Sequence, residues 1–478
     1  MDMFRWGGGG LGSWLTVGVG AGVALTALIS NPRGEGAPSH GIPYALQGPE
    51  ASWAPASDAT ATLPVDPRVE ELVEEVSAER LEYLVDRLAS FETRHTLSSV
   101  DDPDRGIGAA REWMMEELRG YSPRLEVELD CYRVPAQGRI TREAEICNVK
   151  AVLPGRSDRR VYVSGHYDTV AGVEEGMEDE WPQYDNPAPG ANDDGSGTAL
   201  AMELARVLSQ SGLEFDATLV FIGFAGEEQG LFGARLHAQR ADEEGIRIDA
   251  IFNNDIVGNT TGGNGLEDGA SIRVFAPGPE DSPARQLARY IRRHGGVYMP
   301  SHQVRLIARE DRFGRGGDHT PFTWYDYAAV RFTESKENYA RQHTVADTPD
   351  GVDPEYLARN AQVNIAGVAS VALAPSAPDI HSAQGNPRLD RGETGYDARL
   401  RWERSPGAVG YRIFIRTAWT RDWEDIVEVG DLEEWVFPDL SIDDYTFGVA
   451  AVGPDGLESL VSPYVRPPRT PSPVEVLP

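Results

Sequence analysis

The stretch that decides the fold of this 478-residue chain is 160–169, RVYVSGHYDT. Its run Val161–Ser164 is rich in β-branched and aromatic residues, as in a buried strand, and the polar residues His166 and Asp168 follow directly. Similar runs recur over residues 67–374, separated by apolar residues at helical spacings of three or four. This alternation predicts an α/β domain with a mostly parallel or mixed central sheet flanked by helices. The other predicted strands are Thr218–Phe224, Ala250–Asn253, Ile272–Phe275 and Ala328–Phe332.

Composition and charge exclude several classes of function. With 40% hydrophobic and 25% charged residues, the chain has the composition of an ordinary globular protein. Its formal net charge of -32, from 76 acidic and 44 basic residues, repels phosphate backbones and anionic membrane surfaces. No nucleic-acid partner is therefore expected, and most of the acidity is attributed to solvated surface.

The N-terminal region predicts export. After Arg5, the apolar run Leu11–Ile29 indicates a secretory signal peptide or an uncleaved signal anchor within residues 1–30. In either case the protein is expected to be secreted, periplasmic or anchored in a membrane through this segment, facing outside the cytoplasm. Residues 31–66 are rich in Pro, Gly, Ala and Ser and predict a flexible spacer.

The C-terminal region changes to a purely β pattern after Ala374. Trp402, Tyr411 and the run Tyr445–Val449 resemble a fibronectin type III domain, which implies a small β-sandwich over residues 375–468. A Pro-rich tail, 469–478, follows. This domain is expected to contact a cell surface or polymer, and the catalytic domain is expected to fold without it. Its predicted strands are Ala398–Trp402, Tyr411–Arg416, Ile426–Val429 and Tyr445–Val452.

The chain has two cysteines, Cys131 and Cys147, each in a strand-like run. In an exported protein such a pair can form a disulfide across a hairpin, and this is the favoured prediction. Two reduced residues in the core are the alternative.

Acidic and histidine residues recur just beyond the predicted strands, where open parallel sheets bind ligands. A pair of metal ions about 3.5 to 4 Å apart requires a bridging carboxylate, terminal histidine and carboxylate ligands, and a water. Two zinc ions, three carboxylates and one hydroxide together have no net charge, which suits a buried site. The candidates in chain order are His166, Asp168, Asp193, Glu227, Glu228, Asp255 and His343.

Five motifs in this order and spacing resemble the zinc aminopeptidases typified by bacterial secreted leucine aminopeptidases, peptidase family M28. They are 165–168 (GHYD), 189–197 (PGANDDGSG), 226–228 (GEE), 254–255 (ND) and 342–343 (QH). The resemblance implies that one zinc ion is bound by His166 and Asp255, the other by Glu228 and His343, and that Asp193 bridges them. It leaves Glu227 as general base and gives Asp168 the role of orienting His166.

Three further residues are expected near the site. Asp318 and His319, in the segment GDHTPF (317–322), are placed beside the ligands, with His319 the chief rival to His343 as a ligand. Some family members have a tyrosine directly before the last histidine, where this chain has Gln342. Tyr339 is the candidate to replace that tyrosine in stabilising the oxyanion.

The resemblance implies an exported di-zinc exopeptidase that acts on peptides, with a zinc-bridging hydroxide as nucleophile. An aminopeptidase is favoured. A carboxypeptidase of the same family, a single-zinc glutaminyl cyclase and a non-catalytic receptor-like relative remain open. The acidic insertion Glu174–Asp185 is expected either to shape the pocket rim or to form a solvated loop.

Overall fold

The computed structural model of the protein describes residues 63–172 and 184–466. The predicted leader, most of the spacer and of the acidic insertion, and the Pro-rich tail lie outside the described residues. Within the two described ranges, no helix is both long and apolar enough to cross a membrane.

The core of the molecule is an eight-stranded mixed sheet, which confirms the predicted fold class. The strand order is β1-β2-β4-β3-β5-β8-β6-β7, and the four central strands β4, β3, β5 and β8 are parallel. Antiparallel pairs join β1 to β2, β2 to β4 and β6 to β8. The strands are β1 (Glu126–Val134), β2 (Ala144–Leu153), β3 (Arg160–His166), β4 (Thr218–Phe224), β5 (Ile248–Asn254), β6 (Ser271–Phe275), β7 (Gln303–Ile307) and β8 (Ala329–Glu334).

Helices cover both faces of this sheet. The larger core lies on the side of α1–α4, α6 and α8, and a smaller aromatic core lies on the side of α5 and α7. Strand β3 alternates between them, since Val161 and Val163 face the larger core and Tyr162 faces the smaller. The helices are α1 (Pro67–Glu74), α2 (Ala78–Ala89), α3 (Gly106–Tyr121), α4 (Gly195–Gln210), α5 (Phe232–Glu243), α6 (Pro283–Tyr298), α7 (Thr320–Thr323) and α8 (Pro354–Leu373).

Strands β3 and β7 of the large sheet differ from the sequence-based expectation. Strand β3 continues two residues beyond Ser164, so that His166 ends the strand instead of following it. Strand β7 was not predicted because its sequence, QVRLI, alternates polar with apolar residues too briefly to stand out. It lies at the sheet edge, where polar side chains remain exposed.

The predicted cysteine pair forms a disulfide. Cys131 of β1 and Cys147 of β2 lie directly opposite each other in the antiparallel ladder, so the bond connects two strands that are already paired.

The residues after α8 form two antiparallel sheets, of three and four strands. One sheet has the order β13-β10-β9 and the other β12-β11-β14-β15. Phe437 of the first stacks on Phe447 of the second, with ring centroids 5.9 Å apart, so the two sheets share a core. The strands are β9 (Leu389–Asp390), β10 (Ala398–Arg401), β11 (Gly410–Thr417), β12 (Asp425–Gly430), β13 (Glu434–Phe437), β14 (Tyr445–Val452) and β15 (Ser462–Pro463).

A buried set of ion pairs joins this β domain to helix α6 of the catalytic domain. Glu458 is 1% exposed and forms ion pairs with Arg293 of α6 and with Arg412 of β11. Nearby, Arg416 of β11 lies 2.6 Å from a carboxylate oxygen of Asp281, just before α6. The expectation that the catalytic domain folds alone did not include this interface, which is formed by residues far apart in sequence.

Candidate metal centre and active site

The predicted ligands meet at the carboxyl ends of the parallel strands. His166 is the last residue of β3, and Asp255 directly follows the last residue of β5. Glu227 and Glu228 lie in the loop after β4, and His343 lies in the loop after β8. Since parallel strands end at the same edge of a sheet, side chains from four separate segments converge there.

Asp193 lies between the two histidines. Its Oδ1 is 3.4 Å from Nε2 of His166, and its Oδ2 is 3.1 Å from Nε2 of His343. On one side, Oδ1 of Asp255 lies 3.8 Å from Nε2 of His166. On the other side, Oε1 of Glu228 lies 3.2 Å from Nε2 of His343. Two groups of three side chains therefore share Asp193.

The donor atoms in these groups suit zinc ions. Imidazole nitrogens and carboxylate oxygens are the ligands that zinc prefers, together with thiolates. Oδ2 of Asp193 and Oε1 of Glu228 are buried, yet neither accepts a hydrogen bond from any described residue. Because a buried carboxylate oxygen without a hydrogen bond is costly, a cation between these atoms would stabilise the site.

The electrostatics of the cluster also favour cations. The carboxylate of Glu228, followed by that of Asp193, raises the pKa of His343 to about 11. Burial, together with the Asp193 carboxylate, raises the pKa of Glu228. Burial, together with the carboxylates of Asp255 and Glu228, holds the pKa of Glu227 well above its usual range. The site thus has an excess of negative charge that bound divalent ions would balance.

Asp168 fixes the backbone of the loop that contains Glu227 and Glu228. Its two carboxylate oxygens accept the backbone N–H groups of Glu227 and Glu228, at 3.1 and 3.2 Å. Nδ1 of His166 lies 3.1 Å from the backbone carbonyl of Asp168 but 3.7 Å from its carboxylate. Asp168 therefore contacts the imidazole through its main chain, and its carboxylate positions the two glutamates.

Asp194 joins three of the segments that form the site. Its Oδ1 accepts the backbone N–H groups of Gly197 and Ile256, and its Oδ2 accepts that of His166. It is also the N-cap of α4. Neighbouring aspartates thus have different tasks, one facing the histidines and one capping the helix.

Two supporting residues were not predicted from the sequence. Arg331 of β8 is fully buried and places Nη2 2.8 Å from Oδ1 of Asp255. Asp347 accepts the backbone N–H of Asp193 at 2.9 Å. Asp347 could have been found from its position, because it is an acidic residue four positions after His343. Arg331 lies inside an apolar strand, and nothing in the neighbouring sequence indicates that its partner is Asp255.

A cavity of about 380 Å³ opens above this cluster. Glu227 and the five candidate ligands form part of its lining, and the rest comes from two loops and the segment before α5. The cavity is large enough for one or two amino-acid residues of a bound peptide.

Comparison with known proteins identifies the family. The model of peptidase family M28 matches residues 148–368, which include every candidate ligand. A probable zinc metalloprotease of Pyricularia oryzae is 38% identical over 455 residues, covering 86% of this chain and 87% of that protein. The chain belongs to peptidase family M28. It is a zinc metalloprotease of that family.

Solved structures share the fold of this M28 peptidase. The Legionella pneumophila LapA aminopeptidase aligns with a TM-score of 0.50 and 19% identity, over 65% of this chain and 77% of LapA. The Porphyromonas gingivalis glutaminyl cyclase aligns with a TM-score of 0.50 and 17% identity, over 61% of this chain and 97% of the cyclase. Since proteins of both activities share this fold, the likeness by itself does not identify the reaction.

Three predicted residues of the M28 peptidase lie outside the ligand cluster. Asp318 is buried, and neither of its carboxylate oxygens has a hydrogen-bond partner among the described residues. His319 is also buried and places Nε2 2.8 Å from the carbonyl oxygen of Glu310. Tyr339 is 66% exposed and is absent from the cavity lining among the described residues. The structure therefore does not bring Tyr339 to the position where an oxyanion would form.

Proposed function

We propose that this M28 peptidase is an exported di-zinc aminopeptidase. The observation that supports two zinc ions is the position of Asp193, whose two oxygens face different histidines, His166 and His343. A carboxylate shared in this way suits a bridging ligand between two ions. The aminopeptidase assignment comes from the motif resemblance, and export comes from the apolar run Leu11–Ile29.

In this proposal His166, Asp255 and Asp193 would hold the first zinc ion, and Glu228, His343 and Asp193 would hold the second. Zinc ions bound there supply Lewis acidity that lowers the pKa of water and polarises the peptide carbonyl. Backbone contacts from Asp168 and Asp347 keep the ligand loops in place before the substrate binds.

Glu227 is the proposed general base. It lines the cavity, and its carboxylate accepts no hydrogen bond from a described residue, so it is not committed to holding the structure together. Its backbone N–H, in contrast, is fixed by Asp168. Glu227 can take a proton from water as the water attacks the peptide carbonyl and then give it to the leaving amine.

A fibronectin type III-like identity is proposed for the β domain, with attachment to a cell surface or polymer as its task. Two packed antiparallel sheets support the sandwich architecture. Pull-down of the full chain on insoluble polymers, compared with a chain lacking residues 375–478, tests the attachment.

The test of the enzymatic proposal uses purified protein and peptides blocked at one end. After chelation and zinc titration, we expect about two bound zinc ions per chain, measured by elemental analysis. The protein should release the N-terminal residue from peptides with an amidated C-terminus and leave N-acetylated peptides intact.

Other results would identify the alternatives. One zinc ion together with cyclisation of N-terminal glutamine indicates a glutaminyl cyclase. Release of the C-terminal residue from N-acetylated peptides indicates a carboxypeptidase. Absence of any hydrolysis by the zinc-loaded protein indicates a non-catalytic relative.

A further inference from the structure

The cavity above the metal centre has arginine walls. Beyond the candidate ligands and Glu227, the charged side chains that line it, among the residues described, are Arg139, Arg312 and Arg315. Leu231 is the one apolar side chain in the same lining, and the remaining positions are glycines. A pocket built for a large apolar side chain would have more apolar surface than this.

Two of these arginines are held in place close to the centre. Nη1 of Arg139 donates to the backbone carbonyl of Glu228 at 2.7 Å, one residue from the proposed base. Arg312 pairs with Glu337 at 2.6 Å and with Asp311 at 3.2 Å. Arg315 is exposed, and no described residue forms an ion pair or a side-chain hydrogen bond with it.

Positive charge is in excess on this side of the cavity. Asp311 pairs with both Arg312 and Arg331, the latter at 2.6 Å. Glu337 likewise pairs with both Arg312 and Arg273. Three arginines thus share these two carboxylates.

Apart from Glu227, the other carboxylates of the site do not offset this charge at the walls, and no ion pair joins Glu227 to Arg315 in the described part of the chain. Asp255, which also pairs with Arg331, is committed to zinc in the proposed function. Asp168 and Asp194 bind backbone N–H groups behind the centre, and neither they nor the buried Asp318 line the cavity. If zinc ions neutralise the ligand carboxylates at the base of the cavity, the guanidinium of Arg315 remains without an ion-pair partner among the described residues.

We propose that these walls bind a carboxylate of the substrate beside the scissile bond. Guanidinium groups bind carboxylates with charge-assisted, often bidentate hydrogen bonds. The preferred peptides therefore have an acidic residue, or a free terminal carboxylate, at the first or second position. This inference rests on the proposed peptidase function and names its substrate class.

The experiment compares matched substrates. Glu-Ala amide and Ala-Glu amide place the carboxylate on the first or the second side chain, with Gln-Ala amide and Ala-Gln amide as neutral twins. Ala-Ala with a free C-terminus, against Ala-Ala amide, tests the terminal carboxylate. Release of the first residue by zinc-loaded protein gives kcat/KM for each substrate.

At least one carboxylate substrate should exceed its neutral twin by about tenfold in kcat/KM, the contribution of one charge-assisted hydrogen bond. Arg315→Gln should reduce kcat/KM for that substrate about tenfold more than for its twin, and Arg315→Lys should retain part of the preference. Arg309→Gln is the control, since Arg309 is exposed in the same loop but does not line the cavity. It should leave the preference unchanged.

Two outcomes separate this inference from the proposed function. If neutral twins are cleaved as well as the carboxylate substrates, the inference is wrong while the peptidase function stands. If no substrate is cleaved, the proposed aminopeptidase function is wrong. Calorimetric binding of N-acetylglutamate and of N-acetylglutamine amide, which has no carboxylate, then decides the pocket alone: equal affinities overturn the inference, and a preference for the glutamate that Arg315→Gln removes supports it.

Discussion

Replacing Glu458 by glutamine should destabilise the whole protein, although Glu458 lies far from the active site in sequence. Its carboxylate is 1% exposed and faces two arginines whose side chains are only 11% and 8% exposed, Arg293 and Arg412. Both arginines, and His294 beside them, hold the pKa of Glu458 below its usual value despite its burial. Glutamine keeps the shape but leaves two buried cations without their shared anion.

The expected cost is about 3 to 5 kcal/mol, the range for breaking a buried ion pair by removing one partner. Urea unfolding of the Glu458→Gln variant, followed by tryptophan fluorescence, measures it. Glu428→Gln is a matched control, because Glu428 pairs with the same Arg412 at 3.1 Å but is 67% exposed. That change should cost under about 1 kcal/mol.

Adding Arg293→Met to Glu458→Gln should recover part of the loss, since one of the two buried arginines that face residue 458 disappears. Equal costs for Glu458→Gln and Glu428→Gln would refute the reasoning. The same physics bears on truncation after Ala374, which removes Glu458 and leaves Arg293 behind. We expect the isolated catalytic domain, which the sequence predicts to fold alone, to be less stable than the full chain.

Three further predictions concern catalysis, pH and the disulfide. Glu227→Gln should keep both zinc ions and lower turnover by a factor of about 10² to 10⁴, whereas Glu228→Gln should lose zinc at one site. Metal analysis and steady-state kinetics on both variants check this. The reverse pattern would mean that the two glutamates have exchanged roles. Burial lowers the pKa of His294 from 6.5 to about 4, so the unfolded chain binds more protons between these values. The free energy of unfolding should therefore fall as the pH drops from 6.5 to 4, by up to about 3 kcal/mol, and His294→Gln should flatten this slope in pH-dependent urea unfolding. Reduction of the bond between Cys131 and Cys147 should cost roughly 3 kcal/mol without changing kcat. Two free thiols found by mass spectrometry in the purified protein would contradict the presence of the bond.

Much of the site could be predicted because its chemistry is written in local motifs. His166, Glu227 and Asp255 each end or follow a run that the β pattern identifies, and parallel strands must end at a common edge. The position of each polar residue at or just after the end of a predicted strand was therefore enough to predict where these side chains lie. The alternation between β-rich runs and apolar residues at helical spacing likewise predicted the fold class.

Contacts between residues far apart in sequence could not be obtained this way. Tyr339 was a reasonable candidate from its position before His343, yet its backbone places it 66% exposed. The pairing of Arg331 with Asp255 joins residues 76 apart, and no local pattern encodes it.

The sequence by itself determined which residues form strands and helices and which polar side chains lie at the strand ends, because hydrophobic periodicity acts over a few residues. Only the tertiary structure decided which oxygen of Asp193 faces which histidine, that arginines from separate loops wall the cavity, and that Glu458 joins the β domain to α6. These contacts join residues that are far apart in the sequence. Burial removes water from charged groups, so a buried charge is stable only beside a partner, and that partner is often far away in the sequence.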